Sequence, residues 1–369
     1  MPRRDRATAR ARSQADRLYA AVLTGRDDVP SSWARPLSVA LSLLVVATTW
    51  ALVPTALWLM VELRPAGVVL GLIVLAVVWE VRPRGSALPD DAVALTGGTS
   101  ALSALLAEIA AAAGTAPPRT LAVVPDLNAA VYDGRRRVGR VLLIGAPLWM
   151  ALAPQARVAL LGHELGHFSS GDTRRTAVAS AAFQTLGRWR GLLADPPMFA
   201  GAPNRAGLLV AVSSLLSRVV FWVVGLVPLT LSWVLLHVTS RDSQRAEYRA
   251  DRTAARLAGT QAAREALLTI QRSEALDAAL QRAALTRRSP LAAAREFHLA
   301  ELPPLAGPGP RHDAHLFDSH PPIALRLAAL DEQVSDGSVV LDQARAAAVD
   351  EELAAAFVQV ERAVRDRYL

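Results

Sequence analysis

Cysteine and lysine are both missing from this 369-residue chain. The lack of cysteine excludes disulfide frameworks, thiolate-held zinc, iron–sulfur clusters and thiol nucleophiles, so any metal must rest on histidine, aspartate or glutamate. The lack of lysine makes all 40 basic residues arginine; against 33 acidic residues they leave a net charge of +7. Such a surplus invites nucleic acid as a partner. Yet the arginines are interspersed with acids along the whole length, and no basic stripe interleaved with aromatics is present. No nucleic-acid partner is expected. Histidine is scarce too, with seven residues, so a regular spacing among them carries weight.

What the chain has in excess is apolar side chains, 52% of residues, with a mean hydropathy of +0.26 and 20% charge. That is oily for a soluble protein and too polar for a pure transporter, which implies membrane helices joined to a water-facing domain. Residues 1–35 are polar, with eight arginines opposed by Asp5, Asp16, Asp27 and Asp28. Residues 37–61 then carry no charge, long enough for a bilayer core of about 30 Å and too far from the start for a cleaved signal. A second apolar run, 66–79, follows the break at 62–65, so a helical hairpin is predicted. Arg64 alone lies between its legs, whereas arginines flank both ends, so the N-terminus and the domain beyond are expected on the cytoplasmic side of a cell membrane crossed more than once.

Beyond a Pro- and Gly-containing linker, 100–113 has helical apolar spacing stopped by Gly114. Three strand-like runs, 120–124, 129–132 and 138–144, follow, with Asp133-Gly134 as a turn between the last two. Pro154 then opens a helix reaching about residue 168. A further apolar run, 206–238, precedes a polar helix over 240–258, and the rest is Ala- and Leu-rich helix. The amphipathic stretch 341–367 is expected to pack on the domain.

The pattern that carries chemistry is His163-Glu164-Leu165-Gly166-His167, on the helix opened by Pro154. Residues four apart on a helix share a face, with Cβ atoms about 5–6 Å apart, so two imidazoles can reach one zinc at about 2.0–2.1 Å. Glu164 lies one position further round, badly placed to ligate but able to take a proton from water. A hydrolytic zinc takes a third protein ligand and keeps one position open. The longer HExxHxxGxxH pattern fails, because Ser170 and Thr173 stand where its glycine and third histidine would be. Asp172 lies past the helix stop, where an acid orients a ligand or caps a turn. Glu247 and Asp251 stand four apart on the polar helix: one carboxylate can ligate while the other accepts the free N–H of a ligating histidine.

These motifs together, HExxH, the string Glu247-Tyr248-Arg249-Ala250-Asp251 about eighty residues on, and Ser319-His320-Pro321-Pro322 followed by Arg326, resemble the HtpX and CAAX prenyl protease family of integral-membrane zinc endopeptidases. The resemblance covers about 88–330 and includes Asn128-Ala129-Ala130, similar to the family's Asn-Ala-Phe before its edge strand. It implies one Zn2+ per chain on His163, His167 and Glu247, with Glu164 as general base, Asp251 supporting the ligands, and His320 near the developing oxyanion. One departure is Ser243-Gln244, where family members often carry Ser-Arg, the arginine here being displaced to Arg245. An extended substrate is expected to pair with the strand 138–144, which sets Val138, Val141, Leu142, Leu143 and Ile144 against it.

The expected fold is mostly α with a small antiparallel β-sheet, an α+β gluzincin-like metalloprotease domain, plus an N-terminal transmembrane helical hairpin. Its parts are a basic cytoplasmic segment (1–35), the hairpin (36–81), a first protease part with the HExxH helix (86–205), a hydrophobic membrane-associated segment (206–238) and a second protease part (239–369). Because 206–238 separates ligands of one metal, the chain must return to the face it left. Either a shallow hairpin turning near Arg218 or a long, partly submerged helix satisfies this, the second being preferred. The expected partners are polypeptides, membrane-associated or misfolded, and the lipid bilayer. Two rivals are a membrane scaffold whose metal site is silent and a signalling protease that cuts one regulator.

Overall fold

The computed structural model describes residues 13, 15–24, 34–63, 65–85, 87–97, 100–134, 138–169, 173–194, 208–297, 320–332 and 334–369. In chain order they form α1 (Ala34–Glu62), α2 (Ala66–Val81), β1 (Val93–Ala94), α3 (Ser100–Ala113), β2 (Thr120–Val124), β3 (Ala129–Asp133), β4 (Arg140–Gly145), α4 (Ala146–Ala151) and α5 (Pro154–Ser169). There follow α6 (Thr173–Ala194), α7 (Leu208–Ala258), α8 (Thr260–Gln271), α9 (Ser273–Leu285), α10 (Pro290–Arg295), α11 (Ile323–Asp331) and α12 (Gln343–Asp366). Two compact units result. Met1–Val29, Gly85–Thr173 and Ser243–Leu369 form one; Pro30–Arg84 and Arg174–Asp242 form the other.

The second unit is all helix. Its first two helices pack closely because α2 presents Gly67 and Gly71: a Cβ on either would run into the α1 backbone at the carbonyls of Leu59 and Ala56. Three threonine hydroxyls in the apolar helices are satisfied within their own helix, Thr48 on Leu44 O (2.8 Å), Thr55 on Ala51 O (3.0 Å) and Thr230 on Leu226 O (2.7 Å). Val45 of α1, Ala182 and Leu186 of α6, and Leu235 of α7 share one buried cluster. Leu193 near the end of α6 lies against Gly225, well before Leu235 in α7, so these two helices run antiparallel.

This bears on the run 206–238. No reversal occurs within the described part; 208–258 is one continuous helix with Pro228 inside it, so the polar stretch 240–258 is its continuation. The antiparallel partner is α6, whose Arg- and Ser-containing sequence hides it from an apolar-run reading.

The first unit is built round a four-stranded sheet of order β1-β2-β4-β3. The predicted class, mostly helical with a small sheet and an N-terminal apolar helix pair, is what forms. The sheet is mixed, however: β1–β2 and β3–β4 are antiparallel, but β2 and β4 are parallel. Leu142 and Ile144 of β4 face the main core with Leu102, Leu106, Leu161 and Leu165, while Val141 and Leu143 face a second cluster with Leu88 and Ala92. Burial on both faces explains why β4 reads as an unbroken apolar run. It also places β4 between β2 and β3, with neither edge open. The expectation that substrate pairs with Val138, Val141, Leu142, Leu143 and Ile144 is therefore corrected: Val138 lies before β4, and Val141, Leu142, Leu143 and Ile144 are paired on both sides, with no backbone left to offer. Among the described residues the edge strands are β1 and β3.

Two polar anchors set the HExxH helix α5 in place. Arg157, 5% exposed, donates to the carbonyls of Trp149 and Leu152 and to Asp350 of α12 (2.9 Å), which also accepts from Trp149 Nε1 (2.9 Å). Gln155 donates to the carbonyls of Ala258 (3.0 Å) and Val339 (2.7 Å), tying the start of α5 to the end of α7.

Glu352 of α12 caps α3, accepting from the N–H of Ala101 (2.7 Å) and Leu102 (3.0 Å) and from Ser100 Oγ (3.0 Å). Burial works against its ionisation, but these donors outweigh it and hold the carboxyl below the usual range. Glu352→Ala is expected to lower stability by about 1 kcal/mol. Because the folded pKa is depressed, the wild-type advantage is present above about pH 4.3 and lost as pH falls through the folded value. Denaturant unfolding of the two proteins across pH checks both statements.

Candidate metal centre

The site forms where α5 crosses α7, and glycine permits the crossing. A Cβ on Gly162 would lie 3.5 Å from Ala254 Cα, and one on Gly166 would lie 3.2 Å from Ala250 Cα and from Thr253 Cβ. Both glycines thus present bare backbone to α7, one turn of helix apart, each just before a histidine. Helix packing at this distance brings the α5 imidazoles onto the α7 carboxylates.

His163 Nε2 and His167 Nε2 are 3.3 Å apart, with the rings edge to face. Glu247 straddles them, Oε2 at 3.6 Å from His163 Nε2 and Oε1 at 3.6 Å from His167 Nε2. A tetrahedral ion with arms of about 2.0–2.1 Å has ligand–ligand edges of roughly 3.4 Å, so the spacing found here fits a metal with this donor set. Among the described residues, His163, His167 and Glu247 are the group that meets this condition.

Asp251, one turn beyond Glu247, sits with Oδ1 3.0 Å from His163 Nδ1. That contact takes the Nδ1–H and leaves the Nε2 lone pair directed at the centre. Arg326 of α11 closes the arrangement with a two-pronged bond to Asp251, Nε to Oδ2 at 2.7 Å and Nη2 to Oδ1 at 2.6 Å, and lies 3.1 Å from Glu247 Oε2. Glu247, Asp251 and Arg326 are all buried. Two carboxylates against one guanidinium leave a buried negative charge, which a bound cation neutralises.

The titration behaviour follows from these contacts. Burial lowers His167 to about 4, aided by the nearby charge of His163, so this ring is neutral and open to ligation at pH 7. For His163, burial also acts downward, but the hydrogen bond and charge of Asp251 prevail and raise it. Glu164 is pushed up to about 7, by burial first and by the charge of Glu247 among its neighbours. Its carboxylate accepts a backbone hydrogen bond from Val131 of β3, which sets the open sheet edge beside it. Burial acts downward on Arg326, but Asp251 and then Glu247 hold it above the ordinary guanidinium value.

Of the residues singled out by sequence, His163, Glu164, His167, Glu247 and Asp251 converge here. His320 joins them, exposed, with Nδ1 2.9 Å from Glu247 Oε2. Asp172 lies outside the described residues, as do His298, His312 and His315. His237 stacks on Trp233 in the helical unit. Sequence reasoning left Gly162 and Val131 unremarked and gave Gly166 no role of its own. A small residue recurring every fourth position alongside the histidines, Gly162 then Gly166, was the available signal for the first and last of these.

A helix bearing HExxH, joined by a carboxylate from a second helix, defines a metallopeptidase site. The chain belongs to peptidase family M48, whose family model matches residues 99–334. No solved structure gives a significant match to it.

Asp251→Asn keeps the shape of the contact to Arg326 but removes the charge that orients His163, and metal affinity is expected to fall about 10–100-fold. Chelator competition on the purified protein measures it. Gly166→Val, which forces α7 outward, is expected to cost metal binding in the same assay; full retention would mean that the close crossing is not required.

Proposed function

We propose that this chain is a membrane-bound zinc endopeptidase of the HtpX and CAAX prenyl protease kind, hydrolysing peptide bonds of membrane-associated or misfolded polypeptides. The observation that carries the reading is the convergence of His163, His167 and Glu247 on one point, with Glu164 beside it and the unpaired edge of β3 next to Glu164. Two imidazoles and one carboxylate match zinc's preference for nitrogen and oxygen donors, with one position left for water or substrate. When bound, the ion supplies Lewis acidity and lowers the pKa of water toward about 7.

The remaining chemistry belongs to the chain. Glu164 takes the proton of the attacking water and hands it to the leaving amine. A substrate strand added along β3 (Ala129–Asp133) runs past Glu164, its backbone aligned by hydrogen bonds that read no side chain, so broad specificity follows. His320, exposed beside Glu247, offers an N–H toward the place where the carbonyl oxygen becomes an anion, while Arg326 stays committed to Asp251 and Glu247.

Membrane attachment is supported by the helical unit. Pro36–Glu62 and Arg218–Ala258 are long and apolar enough to cross a bilayer, with only 17% and 11% of their most apolar windows buried. Outward-facing Leu57, Trp58, Leu72, Ile73, Trp222 and Val223 make an apolar surface that water does not favour. Arg82 and Arg84 at the end of α2, with Arg82 over the Trp79 ring, suit a membrane interface on the cytoplasmic side. Lipid is then one partner and polypeptide the other, with no nucleic acid.

Glu164→Gln is expected to retain zinc and to lose about 10²–10⁴-fold in cleavage of casein. Metal content and proteolysis, measured side by side on purified protein, test it; undiminished cleavage removes Glu164 from the mechanism. The acid limb of the wild-type pH profile should lie below 7. A bound cation favours the carboxylate of Glu164 and draws it down from the value of about 7 that it holds without metal. A limb above 7 in the zinc-loaded protein would contradict this.

A further inference from the structure

By sequence, residues 1–35 read as a basic arm. The structure groups residues 15–24 with the unit that carries the metal centre, and residues 15–23 are helical. One side of that helix is buried, Ala15, Leu18 and Val22 being 6%, 9% and 5% exposed, while Asp16, Arg17 and Ala20 face water. The spacing is that of a helix with one apolar stripe. Leu18 and Val22, with Tyr19 alongside, pack against Tyr248 and Ala329.

Those two contacts fall on the helices that matter. Tyr248, 1% exposed, is the residue after Glu247 on α7, and Ala329 lies one turn beyond Arg326 on α11. The segment therefore touches at once the helix that carries Glu247 and Asp251 and the helix that carries Arg326. The fork from Arg326 to Asp251 spans these same helices. α11 is nine residues long, and such a short helix depends on packing to hold its place. His167 and His320 keep 30% and 65% of their side chains exposed, so the segment braces the centre without plugging it.

We propose that the helix over 15–23 is a positioning strap: Leu18 and Val22, acting through Tyr248 and Ala329, fix α7 against α11 and so hold Glu247 where His163 and His167 need it. This rests on the reading of those three residues as a metal centre. Ligand distances tolerate only about ±0.2 Å, so a small displacement of α7 registers in metal affinity even when the fold survives.

The test uses the full chain in detergent. Leu18→Ala/Val22→Ala is compared with the conservative pair Leu18→Met/Val22→Ile for zinc affinity by chelator competition and for the visible spectrum of the cobalt-substituted protein. The alanine pair is expected to lose about tenfold in zinc affinity and to alter the cobalt spectrum, and the conservative pair to restore both. In the wild type, zinc should slow hydrogen exchange over 15–24, because coupling between strap and metal is reciprocal; this comparison still decides if the alanine pair unfolds. Unchanged affinity and spectrum in a folded alanine pair, or exchange over 15–24 indifferent to zinc, overturns the strap while leaving the metal centre standing. Wild-type protein that takes up no zinc, or Glu247→Ala that holds as much as wild type, overturns the metal centre and the strap with it.

Discussion

The close crossing of α5 and α7 is the constraint on which the site depends. Two imidazoles on one helix cannot hold a metal without a third group, and the nearest carboxylates in space come from a helix about eighty residues away in the chain. They reach the imidazoles only if the two backbones approach to within the width of a missing side chain. Gly166 provides that approach, a Cβ there meeting Ala250 Cα at 3.2 Å, and Gln155, bonded to the carbonyl of Ala258, fixes the helices end to end. Small residues here serve the chemistry by what they leave out.

Once the helices meet, charge decides how the side chains settle. Burying Glu247 and Asp251 together would be costly without compensation, and Arg326 supplies part of it through the fork to Asp251. A buried ion pair of this kind adds little net stability compared with apolar packing, but it fixes direction. Asp251 is held by Arg326 and in turn holds His163, so the orientation of a ligating ring traces back to a helix that supplies no ligand. The helix over 15–23 continues the same chain of support one layer outward, on Tyr248 and Ala329.

The sheet contributes through the one of its two edge strands, β3, that lies beside Glu164. Pairing β4 between β2 and β3 buries the most apolar strand on both faces and leaves β3, the more polar strand with Tyr132 and Asp133, at the margin beside Glu164. An edge that faces water is better made from such residues than from Leu142 or Ile144. The mixed topology thus separates two tasks, core formation in β4 and an open backbone in β3.

Much of this was legible in the residues. The HExxH spacing, the four-residue interval of Glu247 and Asp251 and the uncharged run 37–61 are local patterns whose meaning depends on helix periodicity alone, which a sequence carries in full. Strand order is different: apolar runs of similar composition do not say which strand lies inside, and substrate pairing with 138–144 is excluded only by the pairing of β4 on both sides. The helical partner α6 was hidden because its contacts rest on small and polar residues, which leave no apolar run. Composition and spacing by themselves determined which side chains bear the chemistry and that part of the chain seeks an apolar surrounding. Only the tertiary structure decided that Gly166 faces α7, that Arg326 reaches Asp251 and that residues 15–23 return to the metal-bearing unit. Each of those is a contact between distant segments, and their distances are set by packing that no local pattern encodes.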